Sequence, residues 1–304
     1  MIGKYVLSGG LQAVLAITLS TLISLLLLPK FIYLINPFSY LISGSVVSLI
    51  TLKKGMLYTL QPLVLSWFIL LALGITQERL TQEVMIIWLP ILFLSTILRF
   101  SERQGILILF AGLITTILVI IFYSIIGDVS AWWQERLDLV FEQSLAPEQL
   151  NEYRLALAST SGFINGMILA GFMINMIMSV LFARWWQSRL FNLGGFRKEF
   201  YRLRIPTIML PVFIIILVLA LTVNEPWQDM FKDILIVSVF MYLIQGISFA
   251  HRTVDKLKLS VGWLVFLYCL LMLVPQMGLI IACFGIVDVF SNWITKNQDS
   301  EKES

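Results

Sequence analysis

Nine long stretches of this chain are almost free of charge, and they narrow the fold more than any motif does. They cover 10–29, 32–52, 56–76, 84–100, 105–126, 162–187, 206–223, 234–251 and 261–294. A helix that crosses the hydrocarbon core of a bilayer needs about 20 mostly apolar residues. The first eight stretches are of that order. The ninth is too long, and "LVPQMG" places Pro275 in its middle. Proline removes a backbone donor and clashes with the preceding turn. The stretch is therefore expected to fold as a hairpin of two helices, 261–274 and 277–294, giving about ten helices. One kinked helix there would give nine. In lipid each backbone N–H and C=O must be satisfied within the protein, which favours helices. The expected fold is an all-α, polytopic transmembrane bundle over residues 1–296, as one domain. The polar tail "NQDSEKES", 297–304, is expected to be disordered.

The chain is 59% hydrophobic and 13% charged. A soluble domain is about 25% charged, so too little polar surface exists here to clothe one. Lys4 before the first apolar run has the order of a signal peptide. However, the run is long and ends in "LLLLPKF", with no small-residue cleavage pattern, so it reads as a retained first helix.

Charge placement sets the sidedness, because Lys and Arg accumulate on the cytoplasmic side of spans. With the N-terminus inside, only Lys30, Arg79, Arg136, Arg154 and Lys232 fall outside, leaving 16 of the 21 Lys and Arg inside. Both termini are then cytoplasmic. The net charge of +3 is spread between apolar runs, which indicates orientation in a membrane and argues against nucleic acid as a partner. The richest basic segment is "FNLGGFRKEFYRLRIP", 191–206. Arg189, Arg197, Lys198, Arg202 and Arg204 are expected to meet anionic lipid headgroups or a cytoplasmic protein partner. "NLGG" reads as a turn, and Phe196, Phe200 and Leu203 recur at helical spacing after it. The longest hydrophilic segment, 128–161, is acidic and carries Trp132 and Trp133. It is expected to be an extracytoplasmic helical hairpin, with a second short helix beginning near Pro147.

Polar groups inside spans are the informative ones. Asp288 reads as the sole acid within any expected span. Gln245 lies on a polar stripe with Ser238, Tyr242 and Ser248, and Asn165 and Asn175 share one helix. Asp288, Gln245, Asn165 and Asn175 are the candidate substrate-binding groups. Hydrogen bonding between helices is the competing role for each. Gly162, Gly166 and Ala170, four apart, allow close helix packing. No nucleotide-binding loop, GxGxxG, HExxH or GxSxG occurs. One histidine, His251, with Cys269 and Cys283 in separate apolar runs, makes neither a zinc site nor a catalytic triad. No enzymatic activity, metal or cofactor is expected, and both cysteines are expected to be reduced.

"LISGSVVSLITLKKG" (41–55), "FNLGGFRKEFYRLRIP" (191–206) and "YLIQGISFAH" (242–251) resemble the YybS-like predicted membrane proteins of bacteria, a family of unknown function. "GIVDVFSNW", containing Asp288, fits the same pattern. That family is distantly similar to the substrate-binding membrane subunits of energy-coupling-factor vitamin transporters. The resemblance implies a bacterial inner-membrane location and small-molecule binding within a helical bundle, with any ATPase on a separate chain. Two expectations follow. A solute binder holds Gln245 and an asparagine around one partly polar cavity. A scaffold has a filled bundle and recruits partners through 188–204 or 253–260.

Overall fold

Hydrocarbon obliges a helix to satisfy its own backbone, and the computed structural model is helical over most of each expected span that it describes. It describes residues 2–26, 39–142, 147–224 and 227–302. The first helices are α1 (Ile2–Val6), α2 (Gly10–Leu26), α3 (Ser39–Lys54), α4 (Met56–Ala72) and α5 (Gln77–Glu83). A π-turn, Val84–Trp88, joins α5 to α6 (Leu89–Ser101). Then come α7 (Gln104–Ile126), α8 (Val129–Phe141), α9 (Pro147–Phe191) and α10 (Gly195–Tyr201). The chain continues through α11 (Met209–Thr222), α12 (Trp227–Lys256), α13 (Gly262–Leu273) and α14 (Met277–Lys302). There is no strand among the described residues.

Each of the ten expected segments corresponds to a helix, and a break at Pro275 separates α13 from α14. Four helical stretches are long and apolar enough to cross a membrane: Gln77–Ser101, Gln104–Ile126, Thr160–Phe191 and Trp227–Lys256. The other apolar helices are shorter. The span expected at 32–52 begins outside the described residues, as does Lys30.

Several boundaries differ from the expectation, and three differences bear on the fold. The short helix at Pro147 is not separate: α9 runs unbroken for 45 residues. "RLALASTSGF" supplies no proline, and its Ser161–Gly162 pair does not stop the helix, which continues into the apolar span. At about 1.5 Å per residue it is about 68 Å long, more than twice the thickness of a hydrocarbon core. Second, α14 is helical through Lys302, beyond the end at 294 that hydropathy suggests. Third, a π-turn lies just ahead of Pro90. Proline has no N–H for the carbonyl four residues earlier, and its ring crowds that carbonyl. Widening the preceding turn relieves the crowding without ending the helix.

The chain divides into two compact units where the sequence suggests one. The first comprises Met1–Ala111, Phe172–Pro206 and Ile247–Cys269, the second Gly112–Gly171, Thr207–Gly246 and Leu270–Ser304. The first is built on α3, which packs against α2, α4 and α6. Its residues 43–52 are all buried. Lipid gives no apolar driving force for such packing, so small and hydroxyl side chains take its place. Ser95 on α6 donates to Ser48 at 2.8 Å, Thr51 to Thr59 on α4 at 3.2 Å, and Ser45 to the Ser179 carbonyl on α9 at 3.2 Å. A Cβ on Gly44 would lie 3.0 Å from Ser179 Oγ, which is why α3 and α9 approach so closely there.

The second unit uses glycine against backbone. A Cβ on Gly246 of α12 would lie 1.9 Å from the Ile281 carbonyl oxygen of α14. One on Gly285 of α14 would lie 2.1 Å from the Tyr242 carbonyl oxygen of α12. The two helices touch main chain to main chain at this crossing.

Candidate functional site

The four candidate substrate-binding residues fall into three places. Gln245 and Asp288 come together in the second unit: Gln245 Nε2 donates to Asp288 Oδ2 at 2.9 Å, and both side chains are buried. This bond lies beside the Gly246–Gly285 crossing. Asp288 is thus held by a neighbouring helix.

Asn165 is engaged elsewhere in that unit. Its Nδ2 donates to Asp233 Oδ2 at 2.6 Å, while its Oδ1 accepts from Trp133 Nε1 at 3.2 Å. Tyr123 also donates to Asp233 Oδ2, at 3.1 Å, and the Gly166 amide donates to Oδ1 at 3.0 Å. A Cβ on Gly166 would lie 2.7 Å from that carboxylate, so the glycine opens the way to the α9 backbone. Trp133 fixes the orientation of the Asn165 amide, which aims its NH2 at the acid. This network ties α7, α8, α9 and α12 together around one buried carboxylate.

Asp233 and Glu83 correct the reading of Asp288 as the sole acid within a span. Both have zero exposure. Asp233 lies in α12, and Glu83 lies in the apolar stretch Gln77–Ser101. Each sits one residue before an expected span, at 234 or 84, because a hydropathy window stops at the first charge.

Asn175 belongs to the first unit. It lines a cavity of about 10 Å3 with Ile86, Ile87, Ile91, Phe172, Met176 and Ser179, far too small for a vitamin-sized solute. The polar stripe on α12 is likewise divided among partners. Ser238 bonds back to the Ile234 carbonyl, Tyr242 packs edge-on to Phe213, and Ser248 donates to the Phe200 carbonyl. His251 shares a hydrogen bond with Tyr268 at 2.8 Å. Cys269 and Cys283 are free thiols and both are exposed.

A roomier cavity lies in the first unit. It measures about 350 Å3 and is lined by Leu60, Leu63, Val64, Trp67 and Phe68 of α4, and by Val84, Trp88, Leu89 and Leu92 of the π-turn and α6. Its walls are apolar. α4 and α6 both rest on α3, and this cleft opens between them. The exposed lining residues Val64, Phe68 and Leu89 form its rim. At the back, Trp88 Nε1 donates to Ser43 Oγ at 3.4 Å. Ser43 in turn donates to Glu83 Oε1 at 2.8 Å and lies 3.1 Å from Thr21 Oγ1. A buried polar string thus begins where the apolar wall ends.

The basic segment forms a surface on the first unit. Gly194, at φ +83°, turns the chain into α10, where a side chain would be strained. Leu203 and Ile205 are buried and alternate with Arg202 and Arg204, which are exposed. Arg189, Arg197 and Lys198 are exposed as well. Nearby carboxylates are already occupied: Glu199 takes both Arg184 Nε at 2.9 Å and Nη2 at 2.7 Å, and Asp255 pairs with Arg197. The Tyr201 hydroxyl, then Asp255, hold the Arg197 guanidinium above its ordinary value. Helices α3, α6, α9 and α12 all end in cations here. Cations at helix C-termini complement the helix dipole. Their ends lie together: Arg99 donates to the Thr51 carbonyl at 3.1 Å, Lys53 sits over the Phe191 ring, and Arg252 donates to the Tyr201 carbonyl.

Residues 38–289 match the family described as "Predicted membrane protein (DUF2232)". The chain belongs to that family. No curated protein and no solved structure matches it. The apolar helices and the family description make it a membrane protein.

Proposed function

We propose that this protein binds a small, largely apolar molecule taken from the bilayer and helps to move it, with no ATPase of its own. The observation that carries this reading is the cleft of about 350 Å3 between α4 and the π-turn. Small-molecule sites are mostly apolar concavities of about 300–1,000 Å3 with a few placed polar groups. The string Trp88–Ser43–Glu83 lies behind the wall of this cleft, fully buried at Ser43 and Glu83, and fixes the Trp88 ring that lines it. The sequence resemblance to energy-coupling-factor binding subunits accords with solute binding, while the apolar walls favour a hydrocarbon chain over a polar vitamin. We place the protein in a bacterial inner membrane with both termini cytoplasmic, on the strength of the Lys and Arg distribution. The cation-tipped ends of four helices, gathered at one face of the first unit, support that assignment.

The test uses a photoactivatable fatty acid added to purified protein in lipid nanodiscs. Labelling should saturate and map to 60–68 and 84–92. Val64→Trp, at the rim, should fill the cleft and reduce it. Unsaturable labelling spread evenly over exposed helices such as α13 refutes a specific site.

A second reading rests on the basic surface. Five exposed cations with their neighbouring acids occupied suit anionic headgroups, at about 1 kcal/mol each near the membrane surface. The same surface suits a scaffold that recruits an acidic protein partner.

A further inference from the structure

The Asp233 carboxylate carries an inference beyond its part in joining helices. Its exposure is zero, and no ion pair among the described residues includes it. Lys232, the next residue, is turned to Asp229 at 2.9 Å. The three groups that reach Asp233 are uncharged, and they differ in what they can do. The Gly166 amide donates to Oδ1 and can only donate. The Asn165 NH2 donates to Oδ2, and Trp133 holds that amide so that its oxygen cannot turn to the acid. Tyr123 is different, because a hydroxyl both donates and accepts. It is the one partner here that can reverse its role when the acid takes up a proton. It also stands apart in exposure: Asp233, Asn165, Gly166 and Trp133 are all buried, and Tyr123 is only half-buried.

We infer that Asp233 is a reversible proton-binding site, loaded and unloaded through the Tyr123 hydroxyl. Acids within spans mark proton relays as a class, and this geometry supplies the step. In loading, the hydroxyl passes its proton to Oδ2 while its oxygen takes one from hydronium, so the tyrosine is unchanged by the transfer. Release reverses both movements. The site selects a proton over a metal ion, because the Asn165 and Gly166 hydrogens point at the carboxylate and would repel a metal cation there. The charged groups that bear on the pair are Asp229 and Lys232 of α12 and Asp128, the cap of α8; α9 contributes the neutral Asn165 and Gly166. The two further acids draw protons towards Tyr123. Hydrogen bonds to an ionised acceptor are about twice as strong as neutral ones. Loading therefore weakens the ties from α7 and α9 to α12, and unloading restores them. The site lies in the second unit and the apolar cleft in the first, so failure of the fatty-acid labelling leaves this inference standing.

The test treats the wild-type protein in nanodiscs with an apolar carbodiimide, which reacts with a protonated carboxyl and leaves an N-acylurea that peptide mass spectrometry locates. Asp233 should carry the adduct at acidic pH and several-fold less of it at alkaline pH. No adduct on Asp233 at either pH, or the same amount at both, overturns the inference. Protection of Asp233 by sodium but not by potassium at the same concentration also overturns it, since the occupant is then a metal cation. The route is read separately, from the infrared carbonyl band of the protonated acid after a pH jump. Tyr123→Phe should slow the appearance of that band several-fold, and an unchanged rate refutes passage through the tyrosine. Should Tyr123→Phe not fold, the wild-type difference spectrum decides: a tyrosine ring mode must change together with the acid band, and its absence refutes the route.

Discussion

Replacing Gly246 by alanine should separate α12 from α14 and break the Gln245–Asp288 hydrogen bond without touching either residue. The added Cβ would start 1.9 Å from the Ile281 carbonyl oxygen, and ordinary contact begins at 3.4 Å. The obstructing atom belongs to the backbone, so no rotamer change relieves it. The helices must part by about 1.5 Å, the difference between those two distances. The Gln245–Asp288 bond is 2.9 Å long, and a displacement of that size along it stretches it to about 4.4 Å, beyond hydrogen-bond range. Overpacking costs about 1–3 kcal/mol. A lost hydrogen bond between membrane helices adds about 0.6, and at most about 1.7. The sum is about 1.6–4.7 kcal/mol. Reversible unfolding in mixed micelles, followed by far-ultraviolet circular dichroism, measures it. Gly171→Ala is the control: it lies within α9 with nothing within 4 Å of the new Cβ, so it should cost nothing and gain up to about 1 kcal/mol of helix propensity. A double-mutant cycle isolates the hydrogen bond. Gln245→Leu should destabilise the wild type but do little more in the Gly246→Ala background. A Gly246→Ala cost below about 0.5 kcal/mol, or equal Gln245→Leu costs in both backgrounds, would refute the reasoning.

Three further outcomes are expected. Asn165→Leu should cost about 1–3 kcal/mol, because the buried Asp233 carboxylate loses a donor. The double variant Asn165→Leu, Asp233→Leu should cost less than the sum of its singles, as unfolding midpoints will show. Glu199→Gln leaves the half-buried Arg184 with a weaker acceptor and should lower the thermal midpoint by more than Asp255→Asn does, since the Arg197–Asp255 pair is exposed and such pairs contribute about 0–1 kcal/mol. Reporter enzymes fused after Gly194 and after Lys258 should both be active in the cytoplasm and silent in the periplasm. A fusion within the acidic stretch near Glu142 should behave oppositely, and a reversal of this pattern overturns the charge-based topology.

The ten helical segments were legible because the solvent dictates them. A run of Leu, Ile, Val and Phe in hydrocarbon has one economical backbone state, so 56–76 or 105–126 needs no knowledge of its neighbours to be read as helix. The helix break at Pro275 was legible for the same local reason. The candidate site was legible only in kind. Gln245 and Asp288 stood out as polar groups in apolar surroundings, but their pairing depends on α12 and α14 crossing at two glycines 39 positions apart in the chain. Nothing within either helix encodes that. Asn165 and Asn175 share a helix, yet one meets a carboxylate and the other lines a small apolar void, because different elements pack against α9 at those two levels.

Asp233 and Glu83 teach a more specific lesson. A hydropathy window treats a charge as the edge of the membrane, since charge is costly in lipid. Both acids are nevertheless buried, and each is buried against donors carried by other helices: Asn165, Tyr123 and the Gly166 amide for Asp233, Ser43 for Glu83. The sequence signal that would have flagged them is the hydroxyl and amide content of neighbouring spans, such as the "SGSVVS" of α3 and the "FING" of α9, rather than hydropathy at the acids themselves. In a bundle the cost of burying a charge depends on what the facing helix offers, so the end of a span is set jointly by two segments and cannot be read from one.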